Sequence, residues 1–572
     1  MKVTDYIADF LEKARVQTVF ELSGGMITHL LDSLCRRQRI RIVSMHHEQA
    51  AAFAAEANGR ITGIPGVALA TSGPGATNLL TGIGSCYFDS SPAVFITGQV
   101  NRNEQKAGRS IRQLGFQETD IVAMAQPITK AAWIVRDVTE LPELLERAFV
   151  LAANGRPGPV LLDIPMDVQR SEFEATALPA LPTISHLPAI TEDTWRTIRD
   201  RLDQSQHPLI VAGGGLRSGR AAVEFRTFVE QLGVPVVHSL MGVDVLPFDH
   251  PLRVGMLGTY GNRWANLAVG LSDLLLVLGS RLDVRQTGSR VDAFKRGREI
   301  IHVDCESAEI NNRVTGCLPI ISELKPFLKA AITQIPSVAH RMARWRDEIS
   351  ANRNRWPDVN ELKHIQGIHP NRFMHLLSRM SARAGAFVVD VGQHQMWAAQ
   401  SLELRSDQRF LTSGGMGSMG FALPAAIGAC FAEGRPALVI AGDGGFQCNI
   451  HELQTVVRNQ LPIKIVIINN NCHGMVRQFQ ESYFDRRYQS TLWGYSAPDF
   501  VKVAQAYGLD GLRIAEEREG SEAIAWLWRD PKAPALLEVA VDPEANAYPK
   551  VLFGGEITEM EPRAQAKNES IE

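Results

Sequence analysis

Between Ala441 and Met475 the chain reads AGDGGFQCNIHELQTVVRNQLPIKIVIINNNCHGM, and this stretch constrains the possible folds more than any other. One apolar run, Ala437-Leu438-Val439-Ile440, leads into a glycine-bracketed aspartate. A second, Ile463 to Ile468, leads into the doublet Asn469-Asn470. Both runs are short, rich in β-branched residues and bounded by Gly or Asn, as buried strands are. The residues between them, Ile450 to Val457, predict a helix. A strand–helix–strand unit sets the C-terminal ends of its two parallel strands side by side. Asp443 and Asn470 then meet at one sheet edge, where open α/β sheets bind ligands.

The donor types point to a metal. Asp443 offers a carboxylate and Asn470 an amide oxygen, a hard set that leaves positions for phosphate oxygens and suits Mg²⁺ better than a soft metal. Gly442, Gly444 and Gly445 let backbone amides approach a phosphate closely. Either half alone would read as an Asp–Gly turn or an Asn-rich loop. At this spacing, with both at strand ends, they predict a metal–diphosphate site.

At 572 residues the chain has room for about three domains. A net charge of −3 leaves no basic footprint for nucleic acid or an anionic membrane. The seven cysteines are scattered without a C-x-x-C pair, which predicts reduced thiols in a cytoplasmic protein. The opening MKVTDYIADFLEKARV is an amphipathic helix pattern broken by Asp and Glu, unlike a signal peptide. No run approaches the length of a transmembrane span.

Strand-like runs alternate with helical stretches in three α/β blocks, as parallel sheets require. The first, 1–175, has runs at Thr18 to Phe20, Ile40 to Val43, Gly66 to Ala70, Ala93 to Thr97 and Pro159 to Ile164. A proline-punctuated segment, 177–188, reads as a linker. The second block, 190–335, has runs at His207 to Val211, Pro235 to Val237, Leu274 to Leu278 and Ile300 to Val303. The third, 365–545, holds Phe387 to Val389, the unit described above and Leu536 to Val539. The tail, 546–572, is poor in apolar residues, and its last ten are expected to be loose.

G-D-G, 24 intervening residues and N-N resembles the signature of thiamine diphosphate enzymes. The resemblance implies that Asp443, Asn470 and the main-chain carbonyl of Cys472 hold the metal. His47 to Gly59 reads H-E-x-x-A-x-x-x-A-x-A-x-G and is followed by TSGPGATN at Thr71 to Asn78, a pattern similar to the acetolactate synthase group. Without that likeness Glu48 would read as a first-turn glutamate favouring the helix dipole. With it, Glu48 is the carboxyl that bonds the cofactor's pyrimidine nitrogen.

The likeness spans nearly the whole chain and implies three doubly wound parallel-sheet domains: pyrimidine-binding, central flavin-binding-like and diphosphate-binding. It assigns Gly392, Gln393, His394, Gly417, Met419, Gly474 and Met475 to the thiamine cofactor, and Met419 as the prop for its bent shape. Gln117 of Phe116-Gln117-Glu118 lies by the reacting carbon, and Arg285 binds the carboxylate of a second 2-oxo acid, a task suited to a guanidinium. The middle block resembles the domain that binds FAD, with Gly213, Gly214, Gly279, Arg281, Asp283, Arg156 and Asp304 as contacts. Taken alone, Val211 to Gly215 would be a tight turn, and Arg281 with Asp283 a surface pair.

The implied activity is a thiamine diphosphate- and Mg²⁺-dependent carboligase with FAD, decarboxylating pyruvate and passing a two-carbon unit to a carbonyl acceptor. A homodimer or homotetramer is expected, with Glu48 of one subunit facing the diphosphate site of another. Whether a regulatory subunit binds stays open. Five departures fall on the acceptor side: Phe479 where the group has tryptophan, which selects 2-oxobutyrate; Thr259 for methionine; Met166 for lysine; Met26 in place of alanine; and a longer 101–115 segment. Two alternatives follow: acetyl transfer to a keto-deoxysugar, as in relatives from surface-sugar pathways, and a flavin-dependent pyruvate oxidase. A degenerate non-enzymatic homologue is disfavoured, since Glu48, Asp443 and Asn470 are all present.

Overall fold

The computed structural model describes residues 1–174, 187 and 189–562. The expected linker, Leu187 apart, and the last ten residues lie outside that set.

Three six-stranded parallel sheets organise the chain. The first contains β1 (Thr18–Leu22), β2 (Arg41–Ser44), β3 (Gly66–Ala70), β4 (Ala93–Gln99), β5 (Ala131–Ile134) and β6 (Pro159–Pro165), in the order β2-β1-β3-β4-β6-β5. The second contains β7 (Pro208–Ala212), β8 (Val236–His238), β9 (Arg253–Met256), β10 (Leu274–Leu278), β11 (Glu299–Asp304) and β12 (Leu318–Ile321), in the order β12-β11-β10-β7-β8-β9. The third contains β13 (Ala386–Val389), β14 (Arg409–Leu411), β15 (Ala437–Gly442), β16 (Ile463–Asn469), β17 (Asp510–Ile514) and β18 (Ala535–Ala540), in the order β14-β13-β15-β16-β18-β17. The first and third sheets share one strand order. Two domains unlike in sequence are therefore built on one plan, and each presents its functional loops at the C-terminal ends of its strands.

The inner strands are buried along their length, as the continuous apolar runs require. The first and third domains press together through two helices, Glu48–Thr62 and Ala422–Glu433, and one apolar core runs through both. Small residues permit the close approach: a Cβ placed on Gly428 would lie 2.0 Å from the carbonyl oxygen of Ala54. Ala50, Ala51, Ala52, Ala54, Ala55 and Ala57 are all buried there.

The tail returns to the central domain. Strands β19 (Lys550–Val551) and β20 (Met560–Glu561) pair antiparallel, and Val551, Ile557 and Met560 join the central core. The Val551 amide donates to the Thr259 carbonyl (2.8 Å), and Arg263 bridges Glu361 and the Pro562 carbonyl. The seven cysteines are free thiols. Among the described residues no helix is long and apolar enough to cross a membrane.

Candidate active site

Strands β15 and β16 are parallel neighbours, and their registered ends deliver Asp443 and Asn470 to the same edge. The local helix differs from the one expected. It starts at Asp443 itself (Asp443–Gln447), breaks near Asn449, and resumes as a 3₁₀ turn (Ile450–Glu452) and a second helix (Leu453–Arg458). The break follows the Asn449 side chain, which leaves the helix direction to donate to the Gly420 carbonyl (2.8 Å).

The orientation of the Asn470 amide is fixed from the outside in. Gln478 accepts from the Ala547 amide through Oε1 (2.9 Å) and donates to the Ala547 carbonyl through Nε2 (3.1 Å), so its two ends are assigned. Gln393 must then donate to Gln478 Oε1 (3.2 Å), which turns its own Oε1 toward Asn470 Nδ2 (2.9 Å). Asn470 Oδ1 is left facing two acceptors, 2.9 Å from the Cys472 carbonyl and 3.2 Å from Asp443 Oδ1. Turning the amide over would satisfy those two oxygens and break the backbone-anchored chain behind it. Three oxygens converging without a hydrogen between them make a cradle for a cation, and carboxylate, amide and carbonyl are donors that Mg²⁺ accepts. Burial pushes the Asp443 carboxyl up to about 6, against the Tyr495 hydroxyl that hydrogen-bonds it.

The surroundings suit a diphosphate. His394 is buried, its Nε2 has no partner, and burial pulls its pKa down to about 3, so the ring is a neutral imidazole with one nitrogen to offer. A Cβ on Gly392 would lie 2.6 Å from that ring and one on Gly442 2.9 Å. At Gly474 a Cβ would meet Gln393 Oε1 at 1.9 Å, so the turn after Asn470 has no room for a side chain. Beside Gly445, Asp390 accepts from the amides of Val391, Gly420 and Ala422, and burial pushes its carboxyl up to about 6. It thereby anchors one end of the loop carrying Gly417 and Met419. At the other end the half-buried Asp89 of the first domain accepts from the Gly414 (2.9 Å) and Gly415 (2.6 Å) amides. Met475 lies in the first turn of the helix Gly474–Tyr483.

Glu48 opens the helix Glu48–Thr62 and is 5% exposed. Its Oε2 accepts from Asn78 Nδ2 (2.9 Å), and a Cβ on Gly75 would come within 3.2 Å of Oε1. Gln117 adopts φ +65° and packs where a Cβ on Gly73 would be 3.0 Å away. Glu48 and Gln117 therefore flank the loop after β3. Glu48 bonds within its own domain, and its hydrogen-bond partner is Asn78, not the diphosphate cluster of the same chain. The buried Glu452 accepts from the His46 amide (2.8 Å), so the entry to the Glu48 helix rests on the segment that follows Asp443. Met26 sits on the same edge, its carbonyl accepting from Gln169 (2.6 Å), and Met166 begins the short helix after β6.

The central domain borders a cavity of 1190 Å³ lined by Arg156, Gly214, Gly279, Arg281, Asp283, Arg285 and Asp304, above the roughly 300–1,000 Å³ of ordinary small-molecule pockets. Gly213 acts from behind, where a Cβ would lie 2.0 Å from the Gly279 carbonyl. Arg156 reaches from the first domain to Glu306 (2.8 Å) and Glu309 (2.5 Å). Arg281 and Asp283 do pair, at 3.6 Å, yet both face the cavity, and Asp283 also caps the turn bearing Arg285. The Arg285 carbonyl accepts from the Thr259 amide (2.6 Å), which places that departure beside the arginine. Phe479, 51% exposed, packs at a tilt against the rings of Tyr483 (4.8 Å) and Phe484 (5.7 Å).

Sequence reasoning assigned no role to Tyr495, Asp390, Asp89, Glu452 or Gln478. Each acts through a contact between distant segments, and Asp390, directly after β13, carried the one available signal, a carboxylate at a strand end.

Paired domains of one topology, one ending in a cation cradle and the other in a buried carboxylate, with a third domain between, form the architecture of thiamine pyrophosphate enzymes. Residues 1–124 match the N-terminal TPP binding domain of that class, 196–331 its central domain and 390–539 its C-terminal TPP binding domain. The chain is 36% identical over 577 residues to the acetolactate synthase large subunit of Cyanidium caldarium, covering 97% of this chain and 95% of that protein. It is 37% identical over 573 residues to acetolactate synthase 2, chloroplastic, of Nicotiana tabacum (97% and 84%) and 34% identical over 553 to the large subunit of Lactococcus lactis subsp. lactis (96% and 94%). The chain belongs to the acetolactate synthase family.

Proposed function

We propose that the protein is an acetolactate synthase-type carboligase that uses thiamine diphosphate, Mg²⁺ and FAD, joining a two-carbon unit from pyruvate to a carbonyl acceptor, with a second pyruvate as the first acceptor. The observation that carries this reading is the oxygen cradle of Asp443, Asn470 and Cys472, set in a chain alike over its whole length to acetolactate synthases. The keto-sugar alternative loses ground to that likeness.

In this reading Asp443 Oδ1, Asn470 Oδ1 and the Cys472 carbonyl hold Mg²⁺, and His394 with the glycine turns receives the diphosphate. When bound, thiamine diphosphate supplies the electron sink that lets the carboxylate of a 2-oxo acid leave as CO₂. Glu48 would hold a proton at the pyrimidine nitrogen, from a buried position that keeps water away. Gln117 orients the reacting carbonyl, and Arg285 fixes the acceptor carboxylate. FAD fills the central cavity. Glu48 of one subunit serves the diphosphate site of a second, so the minimum active unit is a homodimer. Two of the relatives are named large subunits, which implies a further subunit in those proteins.

The test is an assay with pyruvate as the only carbon substrate and all three cofactors present. One acetolactate for each CO₂ is expected. CO₂ release without acetolactate would contradict the proposed acceptor.

A further inference from the structure

The two carboxylate oxygens of Asp443 have different neighbours. Oδ1 faces the amide oxygen of Asn470 at 3.2 Å. Oδ2 accepts a hydrogen bond of 2.7 Å from the Tyr495 hydroxyl, which comes from the segment beyond the helix Gly474–Tyr483. The tyrosine is braced for this contact. Its ring meets His473 edge-on at 4.4 Å, its amide donates to the Leu492 carbonyl, and its hydroxyl lies 3.3 Å from where a Cβ on Gly444 would stand. His473 sits between Cys472 and Gly474, so Tyr495 closes over the cradle and its connecting loop together.

We propose that Tyr495 is a positioning residue that confines Asp443 to a single metal-facing oxygen, and that this makes the site select Mg²⁺ over the larger Ca²⁺. The proposal rests on the reading of Asp443, Asn470 and Cys472 as metal ligands. Ca²⁺ takes about six to eight oxygens and commonly grips a carboxylate through both; Mg²⁺ demands a compact octahedron with one oxygen from each carboxylate. With Oδ2 engaged by a phenol, two-oxygen chelation must first break a hydrogen bond held in a partly buried setting. The hydroxyl also fixes the carboxylate plane, as hydrogen-bond partners of metal ligands do.

The test compares wild type, Tyr495→Phe and Asp443→Ala as full-length protein at fixed thiamine diphosphate, titrated with MgCl₂ or CaCl₂. Binding is followed by tryptophan fluorescence, for which Trp493 is a nearby reporter. Tyr495→Phe keeps the ring against His473 and removes only the hydroxyl. Its Mg²⁺ affinity should fall by about tenfold, the low end of such losses, while Ca²⁺ affinity holds or rises, so that the Mg²⁺/Ca²⁺ ratio falls. An unchanged ratio overturns the proposal, whether both affinities stay put or both fall together, the latter marking a packing role only. Should Asp443→Ala bind Mg²⁺ and thiamine diphosphate like wild type, the metal reading itself fails, an outcome distinct from the other two.

Discussion

At the scale of single residues, the site depends on where oxygen atoms point. Asn470 holds its amide oxygen toward Asp443 only because Gln393 and Gln478 pass an orientation inward from the Ala547 backbone. Phe479 illustrates the acceptor side. By the resemblance it stands where the group has a tryptophan that selects 2-oxobutyrate, and its ring is half exposed. Phe479→Trp is expected to shift the product ratio toward 2-oxobutyrate in competition with pyruvate by about tenfold, the scale of one small-group discrimination. Product analysis from an equimolar mixture checks this, and an unchanged ratio would detach Phe479 from acceptor choice. Asp443 and Asn470 were legible in the sequence because both close their strands within one strand–helix–strand unit. Tyr495, Asp89 and Glu452 were not, because each meets its partner across 52, 325 and 406 residues, a relation no local pattern encodes.

At the scale of elements, the inner strands announced themselves, and of the six edge strands only β2 did. The apolar runs marked β1, β2, β3, β4 and β6 in the first sheet and β13, β15, β16 and β18 in the third. The unmarked strands β5, β9, β12, β14 and β17 are all edge strands. An edge strand has fewer neighbours to bury it and is kept short or interrupted: β17 is largely exposed, β12 alternates, and β9 contains Arg253 and Gly255. Glu48 was read in the first turn of a helix, but the pairing of that helix with Ala422–Glu433 was invisible, since an alanine-rich helix carries no strong apolar stripe. Its closeness is testable. Gly428→Ala places a methyl against the Ala54 carbonyl and should destabilise the protein by about 1–3 kcal/mol through overpacking, read as a lower midpoint in urea. A neutral substitution would mean that the two helices separate at little cost.

At the scale of the whole molecule, three domains are held by side chains that cross between them, Arg156 to Glu306 and Glu309 among them. His375 of the third domain is another. Its Nε2 lies 2.9 Å from Asp358, on the connector from the central domain, and its Nδ1 2.9 Å from Glu403. Burial pulls the imidazole down, but the two carboxylates outweigh it and the net shift is upward. A histidine raised in the folded state stabilises fully below its unfolded value of about 6.5 and loses that contribution as pH rises through the folded value. The melting temperature should therefore decline more steeply above about pH 6.5 in wild type than in His375→Gln. Parallel profiles would show that the histidine does not contribute in this way.

The central claim is that a glutamate of one subunit and a cation cradle of another complete each catalytic centre, and mixing two crippled variants tests it most directly. Glu48→Gln and Asp443→Ala should each lose at least about a hundredfold in acetolactate formation, the scale of removing a general acid–base. Unfolded and refolded together, they form hybrid dimers with one centre carrying both lesions and one carrying neither. Recovery toward about a quarter of the wild-type rate is predicted for random pairing across a two-fold interface. A mixture that stays as inactive as its components, while hybrid dimers are demonstrably present, would contradict the account.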